Sequence, residues 1–234
     1  MNEITVCITS YNRFDLLEQT IDSFLSLNNY PIEKIIVVED STIIGMKDKI
    51  LSKYDNAIEL IFNDVRIGQA KSIDKAYSAV NTEYILHCED DYVFTGNPNF
   101  ISNSIDILKE REDIHQIWIR HLNNFYVSHG GQGVKQFHDE VLTTSNGIQY
   151  RLVRIADDRL WSGFTWNPNI KRTTDYRKMF PNGYGEFLHP DHMEHRGSTT
   201  EALCSQHASL NHNYRGALLV NGACNNVGVG RGTY

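Results

Sequence analysis

Three adjacent acidic residues, Glu89, Asp90 and Asp91, end an apolar run at residues 84–88. Carboxylates this close together repel one another, and they are costly to remove from water unless a cation neutralises them. Carboxylate oxygens are also the ligands that hard divalent cations prefer. The spacing indicates a site for Mg²⁺ or Mn²⁺, while an acidic turn that only ends a strand would have the same sequence.

Apolar runs alternate with helical patterns through the first ninety residues. Short runs at 4–9, 35–38, 58–62 and 84–88 predict four strands, and apolar residues at helical spacing predict a helix after each of the first three, the second of them at 46–54. This alternation predicts an α/β fold, with a mostly parallel sheet flanked by helices. In such sheets, ligands bind beyond the carboxyl ends of the strands.

Polar clusters follow three of these strands. Residues 10–13 come after the first strand, residues 39–41 after the second, and Glu89, Asp90 and Asp91 after the fourth. Because the carboxyl ends of parallel strands share one edge of a sheet, we expect the three clusters to meet there.

The second half of the chain has a less regular pattern. Apolar residues predict a helix at 100–108 and strands at 116–120, 151–155, 160–166 and 217–220, of which the last would be the final strand. Ser198, with Glu201 three residues later, predicts a capping box that begins a helix at 198–210. The polar, glycine-rich stretch at 128–149 predicts a mobile loop.

Composition limits the class of protein. The 234 residues fit one domain, and the net charge of −7 comes from interspersed charges that leave no broad basic surface for nucleic acid. No apolar run approaches the length of a membrane span. Four cysteines without a CxxC spacing favour reduced thiols, so we expect a soluble cytoplasmic protein.

The polar clusters, in this order, resemble those of the GT-A glycosyltransferases, particularly the inverting family 2. The similar segments are residues 8–13, 37–41 and 63–71, and residues 89–91 resemble the DXD-type metal motif of these enzymes. The resemblance implies a GT-A fold in a single domain, residues 1–234. Residues 1–95 would bind a nucleotide sugar, and residues 96–234 would build the acceptor site.

The resemblance also implies roles for single residues. Tyr11 and Asp40 would hold the nucleotide base, Asp90 would face the ribose or donor sugar, and Asp91 would be the direct ligand of Mn²⁺ or Mg²⁺. The full set implied for the nucleotide sugar is Thr9, Tyr11, Arg13, Asp40, Gly68, Lys71, Glu89 and Asp90. Lys71 could instead be a solvated residue on the surface of a helix. Tyr11 could instead be an aromatic residue that only covers the edge of the sheet.

Many family members carry a histidine near the C-terminus that completes the metal site. Asn226 occupies the similar position here, and it would offer a carbonyl oxygen or no ligand at all.

On the acceptor side, residues 184–186 resemble the start of a Gly-Glu-Asp segment whose acid lies near the acceptor. Phe187 stands at the aspartate position, which leaves Glu186 as the leading general base. Asp191, Glu194 and Glu201 are the alternatives, and the capping box would explain Glu201 structurally. Three aromatic residues form either an acceptor platform or core packing, namely Trp161, Phe164 and Trp166.

The sequence therefore predicts a metal-dependent, inverting glycosyltransferase that moves a sugar from a nucleotide donor, with UDP favoured, to a hydroxyl of a glycan. One alternative is a sugar nucleotidyltransferase, but these enzymes usually open with a glycine-rich loop, and residues 10–13 contain no glycine. The other is a module that binds a nucleotide sugar or glycan without catalysis.

Overall fold

A computed structural model describes residues 2–124, 136–155, 161–188, 197–212, 214–228 and 230–231. The strands and helices are, in chain order, β1 (Ile4–Ser10), α1 (Phe14–Leu27), β2 (Ile35–Glu39), α2 (Met46–Tyr54), β3 (Glu59–Phe62), α3 (Gln69–Ser78), β4 (Tyr84–Glu89), β5 (Tyr92–Phe94), α4 (Phe100–Glu110), β6 (Ile114–Trp118), β7 (Leu142–Thr143), β8 (Gln149–Leu152), β9 (Asn169–Arg172), α5 (Thr173–Met179), α6 (Gly197–Asn211), β10 (Arg215–Leu219) and β11 (Cys224–Asn226). A 3₁₀ helix, Tyr184–Phe187, lies between α5 and α6.

Nine strands form one sheet in the order β3-β2-β1-β4-β9-β6-β10-β8-β7. The first four strands of the chain pair in parallel, as predicted. β9 runs antiparallel between β4 and β6, so the sheet is mixed. The α/β fold is confirmed, and the three strands that carry the acidic and polar clusters lie side by side in the order β2-β1-β4.

Helices cover both faces of this sheet, which explains the continuous apolar runs of the central strands. Every residue of β1 and β2 is buried. On one face Ile21 and Phe24 of α1 pack with Phe100 of α4. On the other face, side chains of α3, α5 and α6 pack around Tyr184. None of the helices in the described ranges is long and apolar enough to cross a membrane.

The second half departs from the sequence prediction in several places. Residues 161–166 form bends instead of a strand, and β9 follows them. β10 is not the final strand, because β11 pairs with β5 in a separate two-stranded sheet. Of the predicted mobile loop, residues 125–135 lie outside the described residues, whereas β7 and the start of β8 are ordered strands.

The predicted capping box is wrong. α6 begins at Gly197, so Ser198 falls inside the first turn. The Glu201 carboxylate faces another segment, where Oε1 accepts hydrogen bonds from Thr165 Oγ1 at 2.8 Å and from the Trp166 backbone N–H at 2.7 Å. Glu201 therefore ties α6 to the loop before β9.

Lys171 of β9 is buried in the aromatic core on the α3 side of the sheet. Its Nζ lies 5.4 Å from the ring centroid of Tyr77 and 3.4 Å from the hydroxyl of Tyr184. Burial lowers the pKa of Lys171 from 10.5 to about 7, because removing a cation from water disfavours its charged form. The fold thus holds an amine that is costly to protonate.

We expect Lys171→Met to stabilise the protein at pH 7 and the gain to shrink toward pH 10. In that window the unfolded lysine keeps its proton while the folded lysine has lost it, so the stability of the unsubstituted chain rises with pH. The difference between the two proteins should narrow by up to about 1.4 kcal/mol per pH unit. Urea denaturation at several pH values measures this difference in the free energy of unfolding. Lys47→Met, at an exposed lysine, is the control. A difference between the Lys171→Met and unsubstituted proteins that does not change with pH would contradict a lowered pKa for Lys171.

Candidate functional site

The carboxyl ends of β1, β2 and β4 bring the three polar clusters together. Ser10 of β1 lies beside Glu39 of β2, and Thr9 lies beside Glu89 of β4. The prediction that the clusters meet at one edge of the sheet is confirmed. The loops that follow these strands therefore line a common site.

At the centre of this edge, Arg13 holds the acidic cluster. Its guanidinium forms a two-pronged ion pair with Asp90, through Nη2 to Oδ1 and through Nε to Oδ2 at 3.2 Å. Nη1 also reaches Asp91 Oδ2 at 3.3 Å. Asp90 is completely buried, and Ser10 Oγ donates a third hydrogen bond to it at 2.9 Å. Asp90 therefore holds Arg13 from a fully buried position, and its contact with the ribose or donor sugar stays a prediction.

The electrostatics of the cluster follow from this burial. Burial raises the pKa of Asp90, and the Arg13 guanidinium opposes that rise. Burial also raises the pKa of Glu89, with further repulsion from Asp91 and Glu201. Among the described residues, Arg13 pairs with both Asp90 and Asp91, while burial disfavours the charged forms of Glu89 and Asp90.

Asp91 presents the atom best suited to a metal. Its Oδ1 is buried and has no hydrogen-bond partner among the described residues. Uncompensated buried anionic oxygens are costly, and a divalent cation would relieve that cost. No group of three or more His, Cys, Asp and Glu side chains in the described ranges is arranged to hold a metal. The role of Asp91 as the direct metal ligand stays a prediction.

The segment after β11 packs directly against Asp91. The Val227 backbone N–H donates to the Asp91 carbonyl at 2.8 Å. At Gly228, a Cβ would lie only 2.2 Å from Asp91 Oδ2, so this position has no room for a side chain. Asn226 lies next to the site, but its Oδ1 already accepts the Gly228 N–H at 3.2 Å. A role for Asn226 as a metal ligand stays a prediction.

Asp40 shapes the neighbouring loop. Its carboxylate accepts the backbone N–H groups of Ile67 and Gly68, at 2.9 and 2.8 Å, and the Asn63 amide at 2.9 Å. The loop places Arg66 above the ring of Tyr11, with 4.1 Å from the guanidinium carbon to the ring centroid. Asp40 and Tyr11 thus both contact the loop at residues 66–68. Their contact with a nucleotide base stays a prediction.

Sequence reasoning missed Arg66, because its partner Tyr11 is far away in the chain and no local pattern indicates the contact. It also missed Asn12, which has a left-handed φ of 59°. Asn12 Oδ1 accepts hydrogen bonds from Ser41 Oγ and from the Thr42 N–H, at 2.5 and 3.2 Å. A turn asparagine of this kind is a known signal for positive φ and could have been found.

The remaining donor-side residues lie at the same edge. Thr9 is buried in β1, and Gly68, with φ of 83°, immediately precedes α3. Lys71 is exposed on the first turn of α3. The side chain of Gln69 donates to Glu89 Oε1, which ties the start of α3 to the acidic cluster.

Two of the three aromatic residues predicted for the acceptor belong to the core. Phe164 and Trp166 are each 2% exposed and pack against Tyr184, at 5.6 Å between ring centroids in both cases. An acceptor platform needs an accessible ring face, which neither ring presents among the described residues, so the structure favours the alternative of core packing for both. Trp161 is half-buried, and its Nε1 donates to the Phe164 carbonyl at 3.1 Å.

The candidate bases have different surroundings. Glu186 is exposed on the 3₁₀ helix and accepts the Asn182 side-chain amide at 3.2 Å. Burial raises the pKa of Glu201, and hydrogen bonds from Trp166 and Thr165 oppose the rise. Asp191 and Glu194 lie outside the described residues.

A model of the family described as "Glycosyl transferase family 2" matches residues 5–155, well over half of the chain. A search of curated proteins finds no match.

Several solved structures share the fold. TarS 1–349 of S. aureus in complex with UDP-GlcNAc has a TM-score of 0.62 and 18% identity, covering 95% of this chain and 58% of that one. The mannosyltransferase PcManGT of Pyrobaculum calidifontis, in complex with GDP-Man and Mn²⁺, has a TM-score of 0.63 and 13% identity, and the match covers 97% of this chain and 57% of that one. GalNAc-T7 with UDP, GalNAc and Mn²⁺ has a TM-score of 0.61 and 9% identity, covering 97% and 43%. This chain therefore spans about half the length of the structures it resembles.

We expect Arg13→Met to destabilise the protein by about 3–5 kcal/mol, because it leaves Asp90 buried without its cation. Urea denaturation at pH 7 measures this change. Arg231→Met is the matched control, since Arg231 pairs with Asp15 where both side chains are about half exposed, and it should change little. Equal stabilities for the two variants would mean that the Arg13 pair does not hold the edge together.

Proposed function

The chain belongs to glycosyltransferase family 2, and from that premise we propose that it transfers a sugar from a nucleotide sugar to a hydroxyl of a glycan. One observation supports this most strongly. Arg13 compensates Asp90 inside the protein, and the adjacent Asp91 keeps a buried oxygen without a partner among the described residues, at the carboxyl edge of the sheet. That edge is where ligands bind in sheets of this type.

The donor in this proposal is a UDP-linked sugar. Tyr11 and the loop ordered by Asp40 would receive the base and nucleoside, and exposed Lys71 at the start of α3 would face the diphosphate. Lysine serves such a group as a compact point charge. The similar structures hold UDP-GlcNAc, GDP-Man and UDP, which supports a nucleotide sugar as the ligand class.

The residues present fit a divalent cation, Mn²⁺ or Mg²⁺, held chiefly by Asp91 with Asn226 beside it. A carboxylate oxygen that no described group contacts is a suitable ligand for either ion. When bound, such a cation offsets the negative charge that gathers on the diphosphate as it leaves. Arg13 pairs with both oxygens of Asp90 but with only Oδ2 of Asp91, so Asp91 Oδ1 is the oxygen proposed to bind the cation.

In the proposed reaction, a carboxylate accepts the proton of the acceptor hydroxyl while the hydroxyl oxygen attacks the anomeric carbon of the donor sugar. The new C–O bond forms on the face opposite the diphosphate, and the old C–O bond breaks with its electron pair going to the nucleoside diphosphate. The configuration at the anomeric carbon is inverted. Glu186 remains the leading base, because it is an exposed carboxylate, and Glu201, Glu194 and Asp191 are the alternatives.

A non-catalytic role as a binder of nucleotide sugars is the second candidate. The observations that favour it are Phe187 at the expected aspartate position and Asn226 at the expected histidine position. Donor hydrolysis with and without Mn²⁺ separates the two, because a binder would take up UDP without cleaving a UDP-sugar.

Asp91→Asn should remove most Mn²⁺-dependent binding of UDP, because it replaces the anionic ligand by a neutral amide of the same shape. Titration calorimetry of UDP with and without Mn²⁺ measures the loss directly, without reliance on turnover. Exposed Asp48→Asn on α2 is the control. An Asp91→Asn protein that binds UDP as well as the unsubstituted chain in Mn²⁺ would refute the assignment of Asp91.

Glu186→Gln should slow UDP release from a UDP-sugar by about 10²–10⁴-fold, since the water molecule that takes the place of the acceptor hydroxyl in this assay must also lose its proton to the general base. UDP affinity should stay within about twofold, because the base touches only the acceptor. The assay compares Glu186→Gln with Glu201→Gln across a panel of UDP-sugars. If Glu186→Gln stays active while Glu201→Gln is dead and still binds UDP, the base is Glu201.

A further inference from the structure

Asp74 of α3 binds the backbone of the segment that carries Glu186. Its two carboxylate oxygens accept the N–H groups of Tyr184 and Gly185, each at 2.8 Å. The Tyr176 hydroxyl donates a third hydrogen bond at 3.1 Å. A carboxylate that accepts two successive backbone N–H groups fixes both the position and the orientation of that peptide segment.

The segment has the close fit that this contact requires. A Cβ at Gly183 would lie 2.6 Å from the Asp74 carboxylate, and one at Gly185 would lie 3.1 Å from Asp74 Oδ2. Gly183 also has a φ of 81°, which side chains rarely adopt. The glycines on both sides of Tyr184 thus allow the backbone to approach Asp74, which accounts for the sequence Gly-Tyr-Gly before Glu186.

Tyr184 provides a second anchor. Its ring is 1% exposed and lies 4.6 Å from the ring of Phe180, centroid to centroid. Glu186 follows two residues later and is exposed to solvent, where it accepts the side-chain amide of Asn182. The location of the Glu186 carboxylate is therefore set by the backbone at 184–185, which Asp74 holds.

The same helix is tied to the donor side of the site. Gly68, immediately before α3, donates its N–H to Asp40, and Gln69 in the first turn donates to Glu89. Asp74 lies one turn further along α3. One short helix thus links the acidic cluster, the Asp40 loop and the Glu186 segment.

We propose that Asp74 is a positioning residue, which holds Glu186 at a fixed place relative to the donor site. This inference rests on the proposed function. Asp74 does not touch a substrate in this proposal, and it acts through the backbone of Tyr184 and Gly185. Misplacement of a catalytic group by about 1 Å can cost on the order of 100-fold in rate.

The test uses the full chain with UDP-sugars and Mn²⁺ in four forms: unsubstituted, Asp74→Asn, Glu186→Gln and the double variant. The side-chain amide in Asp74→Asn would keep one acceptor oxygen and would set an NH₂ group against a backbone N–H. We expect Asp74→Asn to slow UDP release by about 10- to 100-fold, with UDP affinity changed by less than about twofold. The double variant should be no slower than Glu186→Gln, because both changes remove the same contribution.

Hydrogen exchange at the Tyr184 and Gly185 amides gives a second readout that does not depend on catalysis. Both amides should exchange faster in Asp74→Asn. Gly185→Ala serves as a second variant in case Asp74→Asn does not fold. Gly185→Ala keeps the Asp74 carboxylate but pushes the backbone segment away from that carboxylate, so this variant should also slow UDP release.

Asp175→Asn is the matched control, since this buried carboxylate pairs with Arg172 instead of the Glu186 segment. It should lower stability without changing the rate of UDP release at 25 °C. Unchanged release by Asp74→Asn, or a double variant whose loss is the product of the two single losses, would overturn the inference alone. An unsubstituted chain that binds no UDP and releases none would overturn the proposed function, and the inference with it.

Discussion

The buried pair of Arg13 and Asp90 is the interaction on which the candidate site depends. The pair joins the turn before α1 to the end of β4, two points that are far apart in the chain but adjacent across parallel strands. A buried ion pair rarely adds much to stability over an apolar alternative, yet the loss of one partner is severe. The main effect of this pair is to fix the positions of Arg13 and Asp90 relative to each other. Arg13 pairs with both oxygens of Asp90 and with one oxygen of Asp91, and Asp91 Oδ1 keeps no hydrogen-bond partner among the described residues.

Much of the first half could be predicted because its patterns are local. The apolar runs of β1, β2 and β4 and the helical spacing of α1 and α2 are set by residues within one element, and both bounds of α2 agree with the prediction. β9 was missed because Asn169, Lys171 and Arg172 give it a polar sequence although most of it is buried. A strand whose lysine sits among aromatic rings has no signature that periodicity could reveal.

The acceptor half was harder for a related reason. The roles of Phe164 and Trp166 there depend on contacts with residues that are distant in the chain, and so do those of Arg66 and Asp74 in the first half. An aromatic side chain packs equally well into a core or beneath a sugar, and only the tertiary structure decides which face is covered. Resemblance to a family located the donor side, where the motifs are short and contiguous. It said less about positions that are held by long-range hydrogen bonds.

The close approach of Gly228 to Asp91 has a consequence for biosynthesis. Arg13, Asp91 and Gly228 are widely separated along the sequence, yet they touch in the finished site. A ribosome delivers these residues in sequence, and domains generally fold as their last elements emerge. The strands β1 to β4 can pair early, but the acidic edge stays uncovered until residue 228 has left the exit tunnel. The nascent protein can therefore pair its first four strands well before Gly228 reaches Asp91, so the unfinished chain holds these strands without the complete acidic edge.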